Sequence, residues 1–315
     1  MLNVQKIFNN MADEYDNISD LWYSWLFSRL HYLIASNILC RKIPMKVLDV
    51  GCGTGFQSYL YAQAGCEVYG IDIANDLIEI AKKKLQSFNS ERFELFSPYF
   101  DYVKRYNQLI KQIIKNNGCK SKYIPPKFFE GNAINIQFNN EEFDHINCCG
   151  STLNFIPRYK KAISEISRVL KRNGTFFIEV DNRWNFDIIW YVLDPLFRGK
   201  FEYNHDFKTG LKILIRKPTR NIWVDYPFGD YDKPVKMRVK LFTVYSLKRI
   251  LLNYGLKVEK KWTIHSITNL IPYTLLDCSK PTQKLISRFK FLARLEEKFS
   301  FKMPGSSLLL FGQKI

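Results

Sequence analysis

The run Val47-Leu48-Asp49-Val50-Gly51-Cys52-Gly53-Thr54-Gly55 sets three glycines at alternate positions directly after a short apolar strand pattern. Glycine takes left-handed backbone angles at little cost and lets another group approach the main chain closely. A buried strand that runs into such a loop and then into a helix is the opening of a βαβ unit, with a ligand expected at the carboxyl end of the strand. This order of elements commits the stretch to an α/β fold.

The remaining pattern follows from that opening. A helix is expected over 57–64, closed by Gly65, then a strand over 67–73 containing Asp72 and a helix over 74–88. The third strand arrives late. Residues 93–127 instead carry a basic helix near 98–116, then Gly118 and Pro125-Pro126, and read as an insertion. Phe128-Phe129-Glu130-Gly131-Asn132-Ala133 reads as a compact strand and turn, and 143–149 as the next strand. Over 159–170, Ala162, Ile163, Ile166, Val169 and Leu170 form the stripe of an amphipathic helix. Lys171-Arg172-Asn173-Gly174 is expected to end it, ahead of a strand over 175–181.

Upstream, residues 21–39 show helical spacing and are read as a cap over the core. Residues 182–240 loosen into aromatic segments, with a helix near 186–193 and strands at 212–216 and 221–226. A helix at 244–253 and strands at 257–264 and 307–314 close the chain. The expected architecture is a doubly wound, Rossmann-like α/β sheet, mostly parallel with a reversed last strand. Its parts are a helical cap (1–45), a core (46–181) with a helical insertion (93–127), a substrate cover (182–240) and a C-terminal completion of the core (241–315).

Hydrophobic residues at 46% and aromatics at 16% supply enough apolar surface for a packed chain of 315 residues. A net charge of +17 invites a polyanionic partner. The lysines, however, fall in short scattered groups such as Lys82-Lys83-Lys84, with no arginine-rich arm. Nucleic acid is the weaker reading, and its main foothold is the basic stretch from Lys104 to Lys127. Seven cysteines show no metal-ligand spacing, so no metal is expected. No apolar run approaches membrane-spanning length, and Met1-Leu2-Asn3-Val4-Gln5-Lys6 lacks the apolar core of a signal peptide. A cytoplasmic protein with reduced thiols is the expectation.

Asp49 stands two residues before the first glycine. A carboxylate there would repel a pyrophosphate but suits the cationic methionine end of S-adenosylmethionine. Asp72 either accepts hydrogen bonds from two ribose hydroxyls or caps the helix that follows. His31, His145, His205 and His265 are candidate bases. None is singled out by spacing, and no catalytic residue is assigned.

Taken together, VLDVGCGTG, GIDIANDLIEIAKKKL, EGNAINI and FDHINCCGSTLNFI resemble the class I S-adenosylmethionine-dependent methyltransferase family over residues 47–180. The resemblance implies S-adenosylmethionine as cofactor and a small or medium-sized methyl acceptor. It lays the loop at Gly51, Cys52 and Gly53 against the methionine part and gives the ribose to Asp72. Asn132 and Ala133, where the family has Asp-Ala, would contact adenine, and Ile73 and Cys149 complete the cofactor set. Ala12-Asp13-Glu14-Tyr15-Asp16 is similar to the segment that folds over the cofactor in small-molecule members. Tyr15 would then line both the cofactor and the substrate, and Arg29 would meet the cofactor carboxylate.

Residues 148–155 and 181–187 are similar to stretches of the glycine and sarcosine N-methyltransferase group, in which an arginine holds a substrate carboxylate. Arg183 is then either an anion clamp for an amine- or carboxylate-bearing metabolite or the ionic partner of Asp181 or Asp187. An RNA acceptor and a catalytically silent cofactor-binding scaffold are the alternatives. The Asn-Pro-Pro-Tyr signature of many base-amino methyltransferases is absent, which counts against the first.

Overall fold

The structure, a computed structural model, describes residues 2–16, 20–40, 45–87, 101–116, 123–201, 203, 211, 214–215, 217–228, 235–276, 281–299 and 303–315. Its centre is a seven-stranded sheet built from β1 (Lys46–Val50), β2 (Glu67–Asp72), β3 (Lys127–Glu130), β4 (Phe143–Cys148), β5 (Leu170–Asp181), β8 (Leu256–Ile264) and β9 (Ser307–Lys314). The strand order is β3-β2-β1-β4-β5-β9-β8. Only β9 runs against the others, as an antiparallel neighbour of both β5 and β8. The sequence expectation of a mostly parallel sheet with a reversed last strand is what the chain forms.

The strands are apolar on both faces because helices cover both. Along β5 and β9 successive side chains alternate between two cores. Phe177, Leu309 and Phe311 enter one, with Trp25, Leu30, Val47, Tyr61 and Phe289. Phe176, Leu308 and Leu310 enter the other, with Leu48, Ile146, Ile166 and Leu247. The first core lies under α2 (Leu21–Ile34), α3 (Phe56–Gln63), α5 (Asp101–Asn116) and α9 (Gln283–Phe299); the second lies under α6 (Tyr159–Val169) and α8 (Val244–Asn253). α4 (Asn75–Ser87) packs Ile78 and Ala81 against Cys52, Tyr59 and Phe128.

A third, smaller core sits over the carboxyl ends of the strands. It joins α1 (Leu2–Asn10), α7 (Asp187–Leu193) and the hairpin of β6 (Ile222–Phe228) with β7 (Val235–Leu241), through Ile7, Ile188, Tyr191, Ile222, Val239 and Leu241. The region expected to cover the site thus has its own apolar centre.

Four local expectations change. α1 was not read from the sequence, because its polar residues mask Val4, Ile7, Phe8 and Met11, which are spaced as i, i+3, i+4 and i+7. Leu214 and Ile215 are helical where a strand over 212–216 was expected, while residues 212, 213 and 216 lie outside the described residues. β7 was also unanticipated. Finally, Leu170 begins β5 instead of ending α6. Asn173, at φ 61°, falls inside an irregular start to that strand and is no helix stop. Of the expected insertion, α5 is described; residues 93–100 and 117–122 are not. Among the described residues no helix is long and apolar enough to cross a membrane.

One buried carboxylate ties the C-terminal helix to the rest. Glu296 of α9 is fully buried and accepts from the Trp25 indole at 2.9 Å and from the amides of His265, Ile267 and Thr268 at 2.8, 2.9 and 3.0 Å. The Thr268 hydroxyl donates as well, at 3.0 Å. Removing this acceptor strands several buried donors at once. Glu296→Ala is therefore expected to lower stability by at least about 3 kcal/mol, read as a shifted urea midpoint at unchanged slope; a change within 0.5 kcal/mol, on the order expected of a surface site, would refute the role.

Candidate functional site

The carboxyl ends of β1 to β4 open on a single cleft of about 710 Å³, part of it open to solvent. Gly51, Ile71, Asp72, Ile73, Gly131, Asn132, Ala133, Gly150 and Thr152 line it from the sheet side. Val4, Phe8 and Tyr15 close it from the N-terminal segment, and Leu77, Phe155 and Ile156 complete the walls.

The loop after β1 is bent by Gly51, Gly53 and Gly55, at φ 74°, 53° and 89°. The amides of Gly51 and Cys52 donate to the Ile71 carbonyl at 2.8 and 3.1 Å, which folds the loop over the end of β2. A Cβ at Gly51 would collide with the Thr152 side chain, so glycine is required there for its backbone angle and for space alike.

Asp72 holds the turn into α4, the capping role, and fixes the glycine loop as well. One carboxylate oxygen accepts from the Gly53 amide at 2.9 Å, and the other from the Ala74 amide at 2.8 Å, at the turn into α4. The same carboxylate lines the cleft. Burial raises its pKa, while the backbone donors oppose the shift.

Asp49 lies elsewhere. It is buried beneath the loop and does not line the cleft. The Ser58 hydroxyl and the Asn147 amide donate to its two oxygens at 2.6 and 2.7 Å. Burial raises its pKa to about 6 against the pull of those bonds. Alternation along β1 turns this side chain to the face covered by α3, so Asp49 supports the loop from behind and is not among the residues that line the cleft.

The N-terminal segment is strapped across the site by polar contacts. Asp16 accepts from the Thr54 hydroxyl at 2.6 Å and pairs with Lys84 of α4 at 2.5 Å, and the Lys84 ammonium also donates to the Thr54 carbonyl at 3.0 Å. The Asn9 side chain accepts from the Asp76 amide at 3.3 Å. Tyr15 packs edge-on against Phe8 over the Gly53 face of the loop. Burial, then the neighbouring Asp72 and Asp16 carboxylates, push its phenol pKa up, so Tyr15 stays a neutral donor.

Opposite the strap, Gly150 and Ser151 turn the chain at φ 73° and 57°. The Ser151 amide donates to Glu179 at 2.6 Å and its hydroxyl to Asp181 at 2.6 Å. Burial and mutual proximity raise the pKa of Glu179, and burial raises that of Asp181. Buried Glu179 and half-buried Asp181 thus pin the turn that presents Thr152 to Gly51.

Other expected residues stand apart from the cleft. Cys52 and Cys149 are buried behind it, and the Cys149 thiol donates to Asn147 at 3.2 Å. Arg29 is buried on α2 between the rings of Trp25 and Tyr32. Arg183 is fully buried, and its Nη1 donates to the carbonyls of Lys217 and Arg220 at 2.8 and 2.7 Å, so this arm of the fork organises the cover. The Asp181 and Asp187 carboxylates instead accept from the hydroxyls of Ser151 and Tyr203. Asn132 lines the cleft with its carbonyl oxygen accepting from the Ile134 amide at 3.1 Å.

His145 bridges Tyr61 and Thr175 inside the sheet layer. Burial lowers His31 to about 4 and His265 to about 3, which keeps both neutral. None of these three lines the cleft, and His205 lies outside the described residues. Among the described residues no cluster of His, Cys, Asp or Glu is placed to hold a metal.

Val4, Phe8, Leu77, Phe155 and Ile156 were missed in the sequence reading. For Val4 and Phe8 the helical spacing of α1 was the available signal. For Phe155 and Ile156 it was their position at the end of a motif already quoted.

Residues 48–178 match the family model of a methyltransferase domain. The chain is 25% identical over 182 residues to a demethylmenaquinone methyltransferase of Lactococcus lactis, covering 54% of this chain and 55% of the relative. It is 29% identical over 209 residues to one of Leptospira interrogans, covering 61% and 69%. The alignment thus spans little more than half the length of the first relative. A SAM-dependent methyltransferase structure from Methanosarcina mazei superposes with a TM-score of 0.51 at 17% identity, covering 87% of this chain and 94% of the other. That likeness is one of fold.

The raised Asp49 pKa fixes the sign of a pH effect. The folded state holds this proton up to about pH 6, whereas an unfolded aspartate releases it near its ordinary value of 3.8. The folded state therefore binds more protons in that window, and Asp49 costs stability as pH rises through it. The stability of the wild type minus that of Asp49→Asn should fall by on the order of 2 kcal/mol between pH 4 and pH 7 in urea titrations. A difference that stays flat or grows would contradict the assignment.

Proposed function

We propose that this chain, whose residues 48–178 form a methyltransferase domain, transfers the methyl group of S-adenosylmethionine to a small or medium-sized acceptor with an apolar body. The observation that carries this reading is the Asp72 carboxylate, set in the cleft beside a loop of glycines whose bare backbone admits a ligand. Such a carboxylate can accept from both hydroxyls of a ribose, since each oxygen keeps a lone pair beyond its present bond. Ile73, Leu77 and Ala133 give apolar walls for the flat base, with Asn132 at their edge. Around Tyr15, Asp72 and Asp16 make the field negative, which suits a sulfonium.

The cofactor supplies a methyl group already activated on positive sulfur. The protein then has to align the acceptor, exclude water and keep competing bases away. Tyr15, held neutral, serves as a hydrogen-bond donor at the loop, and the strap through Asp16 and Lys84 encloses the reacting end. Among the described residues no histidine lines the cleft.

The acceptor side favours apolar chemistry. Val4, Phe8, Phe155 and Ile156 wall the cleft under the cover, and among the described residues no cation lines it. An amine- or carboxylate-bearing metabolite clamped by Arg183 receives no support, because the Arg183 Nη1 is bound to the backbone of the cover. The curated relatives carry the name demethylmenaquinone methyltransferase, and an apolar ring acceptor of that kind fits these walls.

Isothermal titration with S-adenosylmethionine and S-adenosylhomocysteine is expected to show binding of both by the folded protein. Asp72→Ala should weaken both by roughly tenfold or more, a loss of one charge-assisted pair. Folded protein that binds neither compound overturns the cofactor reading; binding without product from any apolar acceptor overturns the transfer. In the same assay Gly51→Ala should lose binding, because the added methyl group displaces Thr152 into the cleft.

A further inference from the structure

The outer surface of the cover sets apolar side chains and cations side by side. Ile189 of α7 and Leu196 and Phe197 just beyond it face solvent, Leu196 at 65% exposure. Exposed Arg198 and Lys200 follow at once, with Arg198 turning the chain at φ 59°. Aromatic contacts hold this group together: Phe197 meets Phe201 at 5.5 Å between ring centroids, and Phe201 meets Trp190 at 5.3 Å, next to Ile189.

A second group repeats the pattern. Leu214 and Ile215 are exposed, Ile215 at 72%, and exposed Lys217 and Arg220 come directly after them. Buried Arg183 fastens this stretch by its carbonyls, and the Trp184 indole donates to the Pro218 carbonyl at 2.8 Å. The second group is thereby fastened to the residues just before α7, while the first lies on that helix and just after it.

The described acids of the same segment point inward. Asp187 is buried under the Tyr203 hydroxyl and the Tyr273 amide. Asp194 is buried, accepting from the amides of Phe201 and Tyr203 at 2.7 and 3.0 Å. Among the described residues of 187–220, the exposed surface carries positive charge and apolar area but no negative charge. Large aliphatic side chains concentrated on one exposed segment mark a contact surface.

The chemistry of that surface selects its partner. Phosphate groups would satisfy the cations of any polyanion site, but a nucleic acid offers little to Leu196, Leu214 or Ile215. An anionic bilayer meets both needs, with the apolar side chains at the acyl boundary and the cations at the lipid phosphates. We propose that the outer surface of the cover, through Leu196, Phe197, Arg198, Lys200 and Ile215, seats the protein on an anionic lipid bilayer as an interfacial anchor. The inner side of the cover packs on Val4 and Phe8, which line the cleft, so the seated surface and the cleft are two sides of one layer. The seating stands apart from the methyl-transfer reading, and its test needs neither cofactor nor acceptor.

The full chain is sedimented with vesicles of phosphatidylcholine alone or mixed with phosphatidylglycerol. Partition is expected only with phosphatidylglycerol, and should weaken as salt rises. The double variant Leu196→Ser, Ile215→Ser and the double variant Arg198→Asn, Lys200→Gln should each lower the partition coefficient by about tenfold or more. Because these side chains are exposed, circular dichroism and melting of both variants should match the wild type, which separates lost seating from lost folding. The proposal is overturned if anionic vesicles do not bind the chain, or if both variants bind as the wild type does. It is also overturned if binding is abolished instead by neutralising Lys104, Lys111 and Lys115 of α5, or if the chain binds RNA and not vesicles.

Discussion

The site depends on one carboxylate placed where three demands meet. Asp72 ends β2, receives the amide of Gly53 from the neighbouring loop and receives the amide of Ala74 from the turn into α4. Each bond fixes a different segment, and the residue faces the cleft as well. A parallel strand leaves its last groups pointing past the sheet, so a side chain there can organise connections on either side while reaching a ligand. The glycine loop is thus set by more than its own backbone freedom. Its shape is held by Asp72 from below and closed by Thr152 from the far side.

The parts of this protein that could be read from sequence were those in which local pattern and tertiary role coincide. β1 sets Val47, Leu48 and Val50 against the cores on both faces of the sheet and enters the glycine loop without interruption. The helix expected over 159–170 showed its apolar stripe equally clearly. What was hidden depended on contacts between distant segments. α1 has its apolar spacing, but its Asn, Gln and Lys content obscures a face that becomes apolar only when the cover packs on it. β7 acquires meaning only as the partner of β6.

The residues expected at the site divide in the same way. Those tied to strand ends, Asp72, Asn132 and Ala133, fall on the cleft, because strand ends define it. Asp49 and Arg183 were placed by motif spacing, and spacing says nothing about which way a side chain turns. Asp49 turns toward Ser58 and Asn147. Arg183 reaches the backbone of the cover across more than thirty residues of chain. In both cases a polar group that looked like chemistry serves architecture, since a buried charge is tolerated only where several dipoles answer it.

The cleft is closed on its two sides by different kinds of force. Its floor is held by buried acids and a packed sheet, which salt scarcely reaches. The N-terminal strap is held largely through Asp16 and Lys84, each about 30% exposed, and a partly exposed pair of this kind is screened as ionic strength rises. Access and shape are therefore separable properties: added electrolyte loosens the door while leaving the room intact.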